Sequence, residues 1–138
     1  LFDAYFKMGR ADLFLKRLDM WRGYVDSGVT TLLEKPENEK IESRSDCHAW
    51  GAHPIWFMQT GLAGINSDAA FFKKVRISPN PGSLTEIKAA HPHPEGWIKI
   101  DLKFKGDNVS GVIYTPVEGI FEYKGLKQAL KKGQNSIN

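Results

Sequence analysis

The chain has 138 residues, 41% hydrophobic and 25% charged, with a formal net charge of +3 and one cysteine, Cys47. That mix excludes wholesale disorder and a fibrous protein, no apolar run reaches the roughly 20 residues of a membrane-spanning helix, and a lone cysteine excludes an intramolecular disulfide. Basic residues upstream of Lys124, Lys127, Lys131 and Lys132 alternate with Asp and Glu instead of gathering on one element, so neither a nucleic acid nor a membrane is expected as partner.

In chain order, Leu1 opens directly inside an amphipathic pattern with no basic leader region, which predicts that further residues precede it. Phe2, Tyr5 and Phe6 fall at helical spacing, and Gly9 ends that segment. A longer helix is expected over 12–27, capped by Asp12, with an apolar stripe of Phe14, Leu18, Trp21 and Val25, and closed by Ser27-Gly28. The two helices form an αα-hairpin. Its large residues Phe2, Phe6, Phe14, Leu18 and Trp21, with Phe57 further on, are expected to lack cover within this chain. Periodicity then disappears over 29–46, and Pro36 with the charges of 35–40 predicts a loop. Ser45 or Asp46 is expected to cap a third helix carrying Trp50, Ile55, Met58 and Leu62. Pro54 should kink it or mark where a tight first turn gives way to regular helix, and Gly61 and Gly64 should weaken its end.

Beyond Asn66 the texture changes to short strands: 75–78, 84–89, 97–104, 109–115 and 119–123. Ile98, Ile100, Leu102 and Phe104 alternate strictly, the mark of a strand with one wet face. Lys105-Gly106-Asp107-Asn108 reads as a hairpin turn. The expected architecture is therefore α then β, with several antiparallel strands forming a sandwich.

Three features could carry chemistry. Glu34, in Thr30-Thr31-Leu32-Leu33-Glu34, is a carboxylate on a loop after a helix end, where either a catalytic group or a solvated side chain can stand. Asp46-Cys47-His48-Ala49-Trp50-Gly51-Ala52-His53-Pro54 could line a sugar or metal site, or simply pack. His48 and His53 are five apart, poorly spaced to share a metal on a helix, and adjacent Cys47 and His48 cannot readily pair as nucleophile and base. His91-Pro92-His93-Pro94 reads as a proline-stiffened connection. Asn108-Val109-Ser110 fits a glycosylation acceptor if the chain passes a eukaryotic secretory route.

Taken together, the Trp21-to-Gly28 hairpin end, Thr30-Thr31-x-x-Glu34, the Arg44-to-Pro54 run, a helix ending Leu62-Ala63-Gly64-Ile65 and the strands starting Val75-Arg76-Ile77-Ser78-Pro79 resemble the C-terminal end of bacterial α-L-rhamnosidases, the inverting glycoside hydrolases of family 78. The resemblance implies that 1–66 are the last helices of an (α/α)6 catalytic barrel and 67–138 a small C-terminal β-sandwich, with the lysine-rich end forming its final strands. It further implies that Glu34 is the general base, that His48 contacts the sugar with Trp50 as an apolar wall, and that the general acid lies upstream of Leu1. Leu33 stands where many members have Trp, and the loop before His48 is shorter than in many relatives. The implied partners are a rhamnose-containing carbohydrate and the upstream part of the same protein. No cofactor or metal is implied, and a secreted or periplasmic setting would follow from the family only. A non-catalytic carbohydrate-binding or structural module, and an (α/α)6 glycosidase for another sugar, are the competing readings.

Overall fold

The computed structural model describes residues 1–35 and 45–138. The loop expected over 35–40 falls, after Lys35, outside the described residues, as does Arg44. The chain opens with α1 (Phe2–Lys7), turns at Gly9 with φ 68°, and continues through α2 (Ala11–Arg17) and α3 (Asp19–Asp26). The single helix expected over 12–27 is thus two. Leu18 keeps helical angles, but its amide is shared between the Phe14 and Leu15 carbonyls at 3.2 Å each, a local tightening that separates the segments. Asp12 is not the cap. Arg10 takes that position, and the Asp12 carboxylate in the first turn binds the Arg10 guanidinium through two 2.8 Å hydrogen bonds. Past the tightening, the buried stripe passes from Phe14 and Leu18 to Tyr24 and leaves Val25 exposed.

The third helix is composite. A tight 3-10 turn (Ala49–Ala52) leads into α4 (His53–Phe57), which widens into a π turn (Met58–Leu62). Pro54 sits at the start of α4, where its missing N–H has no helical partner to lose, as the tight-first-turn reading anticipates. The helical run begins after His48, whose backbone is extended (φ −115°, ψ 106°), so neither Ser45 nor Asp46 occupies the cap position. At Gly61 an added Cβ would lie 2.5 Å from the Phe6 ring, so glycine there admits α1 against the π turn.

Eight strands follow: β1 (Ile65–Ser67), β2 (Val75–Ile77), β3 (Glu86–His93), β4 (Gly96–Lys105), β5 (Asn108–Thr115), β6 (Gly119–Tyr123), β7 (Leu126–Leu130) and β8 (Gly133–Ile137). They form two four-stranded sheets, ordered β1-β2-β6-β7 and β3-β4-β5-β8. Every pairing is antiparallel except β2 with β6. The second strand expected from sequence, 84–89, extends to His93, so His91-Pro92-His93 belongs to a strand rather than to a connection. Pro92 is tolerated there because β3 is an edge strand and pairs only with β4. The β region begins at Ile65, because β1 adds three residues that alternation alone does not reveal.

Helices and sheets share one core. Phe2, Phe14, Leu18 and Leu62 belong to the same buried cluster as Ile65, Ile77, Ile98, Leu102 and Phe121, with Phe6, Trp21 and Phe57 packed partly buried against it. Phe2 meets Phe14 edge-on at 4.9 Å and Phe57 at 5.4 Å, while Phe6 stacks on Phe57 at 6.1 Å. The expected lack of cover is therefore corrected for Phe2, Phe14 and Leu18, which the sheets and the neighbouring helices bury, while Phe6, Trp21 and Phe57 stay partly covered. The junction is fastened where Gly64 (φ 68°) passes Ser78. A Cβ on Gly64 would stand 2.0 Å from the Ser78 carbonyl oxygen, the Ser78 amide donates to Gly64 O at 2.9 Å, and the Asn80 amide donates to Leu62 O at 3.1 Å.

Candidate active site

The segments ending at Lys35 and starting at Ser45 are tied together by their backbones. His48 N–H donates to Leu32 O at 2.7 Å and Glu34 N–H to Ser45 O at 3.0 Å, and the Thr31 hydroxyl donates to Asp46 O. These bonds satisfy main-chain groups that lack helix or sheet partners, and they hold Glu34 and His48 at the ends of two facing segments. Glu34 is exposed, and its Oε2 accepts from Ser45 N–H at 3.1 Å, which orients the carboxylate. Leu33, beside it, is buried.

Facing this pair is the helical hairpin. Trp21 Nε1–H donates to Gly51 O at 2.8 Å, fixing the 3-10 turn against α3. Gly51 lies under the loop: an added Cβ would be 3.0 Å from the Leu32 side chain and 3.1 Å from Leu33 O. His53 Nδ1 lies 2.7 Å from Trp50 O. A carbonyl can only accept, so Nδ1 carries the proton there. The His53 ring stacks on Phe2 at 5.0 Å and meets Trp21 edge-on at 5.4 Å, so this histidine packs the floor.

An open hollow of about 790 Å³ results, walled by Arg17, Met20, Trp21 and Tyr24 from α2 and α3, by Leu33, Glu34 and Lys35 from the loop, and by His48, Trp50, Gly51 and His53. Glu34, His48 and Trp50, the three residues singled out from sequence, all line it. Trp50 is 83% exposed, with its ring edge-on to His48 at 6.0 Å. Cys47 is exposed, and its amide donates to the Ser45 hydroxyl at 3.4 Å. The opposite wall was not anticipated. Arg17, Met20, Trp21 and Tyr24 recur at three- and four-residue steps, so one face of the hairpin could have announced it. Chemically the hollow offers a carboxylate that can accept a proton, an imidazole and a guanidinium that can bond hydroxyls, and indole surfaces that can cover the apolar face of a ring. Among the described residues no group of three or more His, Cys, Asp or Glu comes together to hold a metal.

No family model and no curated protein matches the chain. Solved structures do. The rhamnosidase of glycoside hydrolase family 78 from Bacillus sp. GL1 matches 78% of this chain at 28% identity, with a TM-score of 0.66. The α-L-rhamnosidase from Dictyoglumus thermophilum matches 80% at 22% identity, with a TM-score of 0.64. The second likeness is one of fold alone. The matched region is only 12% and 16% of those two chains. Over most of its length, then, this chain is similar to one small region of family 78 α-L-rhamnosidases.

Proposed function

We propose that the chain is part of an inverting α-L-rhamnosidase of the bacterial type, supplying the last helices of its (α/α)6 barrel and its C-terminal β-sandwich. One observation carries this reading. Glu34 from one segment and His48 and Trp50 from a second line one hollow in a chain 28% identical to the Bacillus enzyme over the matched region.

Inversion needs two carboxyl groups about 6.5–9.5 Å apart on opposite faces of the sugar. Glu34 acts as the base. It takes a proton from water as the water oxygen bonds to the anomeric carbon and the bond to the leaving oxygen breaks. The proton for that oxygen comes from an acid outside this chain. His48 bonds a sugar hydroxyl, and Trp50 covers the apolar side of the ring. The substrate class is a glycoside or polysaccharide with terminal α-L-rhamnose. These 138 residues alone should be inactive, because they hold the base without the acid.

A positioned general base contributes about 10²–10⁴-fold in rate. Glu34→Gln in the full-length protein should lower kcat on an aryl α-L-rhamnoside by that order with KM little changed, and azide should restore part of the rate because it needs no deprotonation. His48→Ala should raise KM as well as lower kcat. Near-normal kcat in Glu34→Gln would reduce this glutamate to a solvated loop residue.

A further inference from the structure

The outward side of the sheet β3-β4-β5-β8 takes no part in the hollow, yet it is not an ordinary wet face. Trp97 is 51% and Tyr114 46% exposed, and among the described residues neither ring has an aromatic neighbour nor a hydrogen bond from its polar atom. They lie on adjacent strands. Lys99 stands directly across from Tyr114, and Trp97 is the preceding outward residue of β4, which makes the two rings diagonal neighbours. Beside Tyr114 is a shallow depression of about 470 Å³ floored by Ala90 and Val112.

The charge on this face is unbalanced. Both of its carboxylates on β3 and β4, Glu86 and Asp101, are held by Lys88, at 3.1 and 3.5 Å. That leaves Lys99 and Lys103 on the same side of β4 with no ion-pair partner among the described residues. Outward residues of one strand recur about every 6.7 Å, so the two ammonium groups flank Asp101 in a row along β4, with the aromatic rings at one end.

An apolar protein partner would not select such a surface, because lysine is depleted from interface cores. A pyranose ring has an apolar C–H face that a flat aromatic can cover and rim hydroxyls that Trp97 Nε1–H, the Tyr114 hydroxyl and lysine can bond. A carboxylate on the sugar would meet the lysine row. We propose that this face binds an acidic polysaccharide, a uronate-bearing chain lying along β4 with its rings on Trp97 and Tyr114 and its carboxylates at Lys99 and Lys103. The choice of a glycan over another polyanion rests on the rhamnosidase reading; the surface itself does not.

The test is affinity electrophoresis of the full-length protein through gels containing polygalacturonate, neutral dextran or a single-stranded oligonucleotide, at low and at physiological ionic strength. Polygalacturonate should retard the protein more than dextran does. The pair Trp97→Ala with Tyr114→Ala should weaken that retardation about tenfold, and Lys99→Glu with Lys103→Glu should abolish it. All four side chains are exposed, so folding should survive, and circular dichroism verifies that. Absence of retardation by polygalacturonate overturns the proposal, as does retardation indifferent to the aromatic pair or tighter retention of the oligonucleotide through the same residues. The gel requires no turnover. Loss of rhamnoside hydrolysis with retained polygalacturonate binding would therefore sink the enzymatic reading and leave this one standing.

Discussion

The helical segment around the hollow and the sheet β3-β4-β5-β8 draw on the same core but present opposite surfaces. On the sheet, inward Ile98, Ile100, Leu102 and Phe104 alternate with outward polar residues, and each outward position has a cross-strand neighbour. On the helical side, Trp50, Ile55 and Trp56 are more than half exposed, and three kinds of helical turn succeed one another between Ala49 and Leu62. A strand fixes its buried face by period two alone, whereas a composite helix has no single period. Its buried face is set by what it packs against, here Phe2, Phe6 and Trp21. Regular structure in this molecule is a scaffold, and the candidate chemistry lies on the irregular segments that carry Glu34, His48 and Trp50.

Substitution at the junction of the two regions should have the largest effect. Gly64→Val places a side chain onto the Ser78 carbonyl at positive φ, and both the clash and the strain act there. A loss above about 4 kcal/mol is expected, read by urea unfolding. A change near zero would mean that helices and sheets are not fastened at this crossing. Next, Phe14→Ala empties a fully buried site and should cost about 3–5 kcal/mol. Val25→Ala, predicted from the 3.6-residue stripe to be equivalent, should stay within about 0.5 kcal/mol because Val25 is exposed.

A smaller effect should come from His91. Burial, and then the neighbouring His93, hold its imidazole below the usual histidine range. Its Nδ1 is buried with no hydrogen-bond partner among the described residues. The unfolded chain then binds the proton more readily than the folded one, so stability is greatest above about pH 6.5 and falls as pH drops through that value, levelling off below the folded pKa. His91→Leu should flatten that slope in thermal melts between pH 7.5 and 5.5 without loss at neutral pH, since it removes an unsatisfied polar atom. An unchanged slope would assign the pH dependence elsewhere. The subtlest difference should be in hydrogen exchange: β4, bonded on both sides, should exchange slowest, and the 49–57 turn much faster. Equal protection of the two would erase the contrast between the regions.

What the sequence made legible follows the same division. β4 was readable because strict alternation has few rivals, and β5 because Lys105-Gly106-Asp107-Asn108 marks a hairpin turn that sends the chain back alongside it. β1 was not, since three residues cannot display a period. His93 joined a strand because an edge position tolerates Pro92, a fact about neighbours that no local pattern contains. Glu34 and His48 stood out as polar residues in a motif. The wall formed by Arg17, Met20, Trp21 and Tyr24 keeps a helical spacing but mixes a cation with apolar rings, so it does not read as a continuous apolar stripe, and the tightening at Leu18 leaves Val25 outside and draws Tyr24 in.

The crossing at Gly64 also bears on how such a chain can be taken apart. Two backbone hydrogen bonds, Ser78 to Gly64 and Asn80 to Leu62, stitch the end of the π turn to the loop after β2. A cut between Leu62 and Asn80 would therefore strand donors and acceptors on both pieces and uncover the apolar face that Phe14 and Ile77 share. The strands are thus a poor cassette for grafting or domain exchange. Any transplant of the Glu34 loop would need to bring α3 along, because the turn that carries Trp50 is fixed there by the hydrogen bond from Trp21 to Gly51.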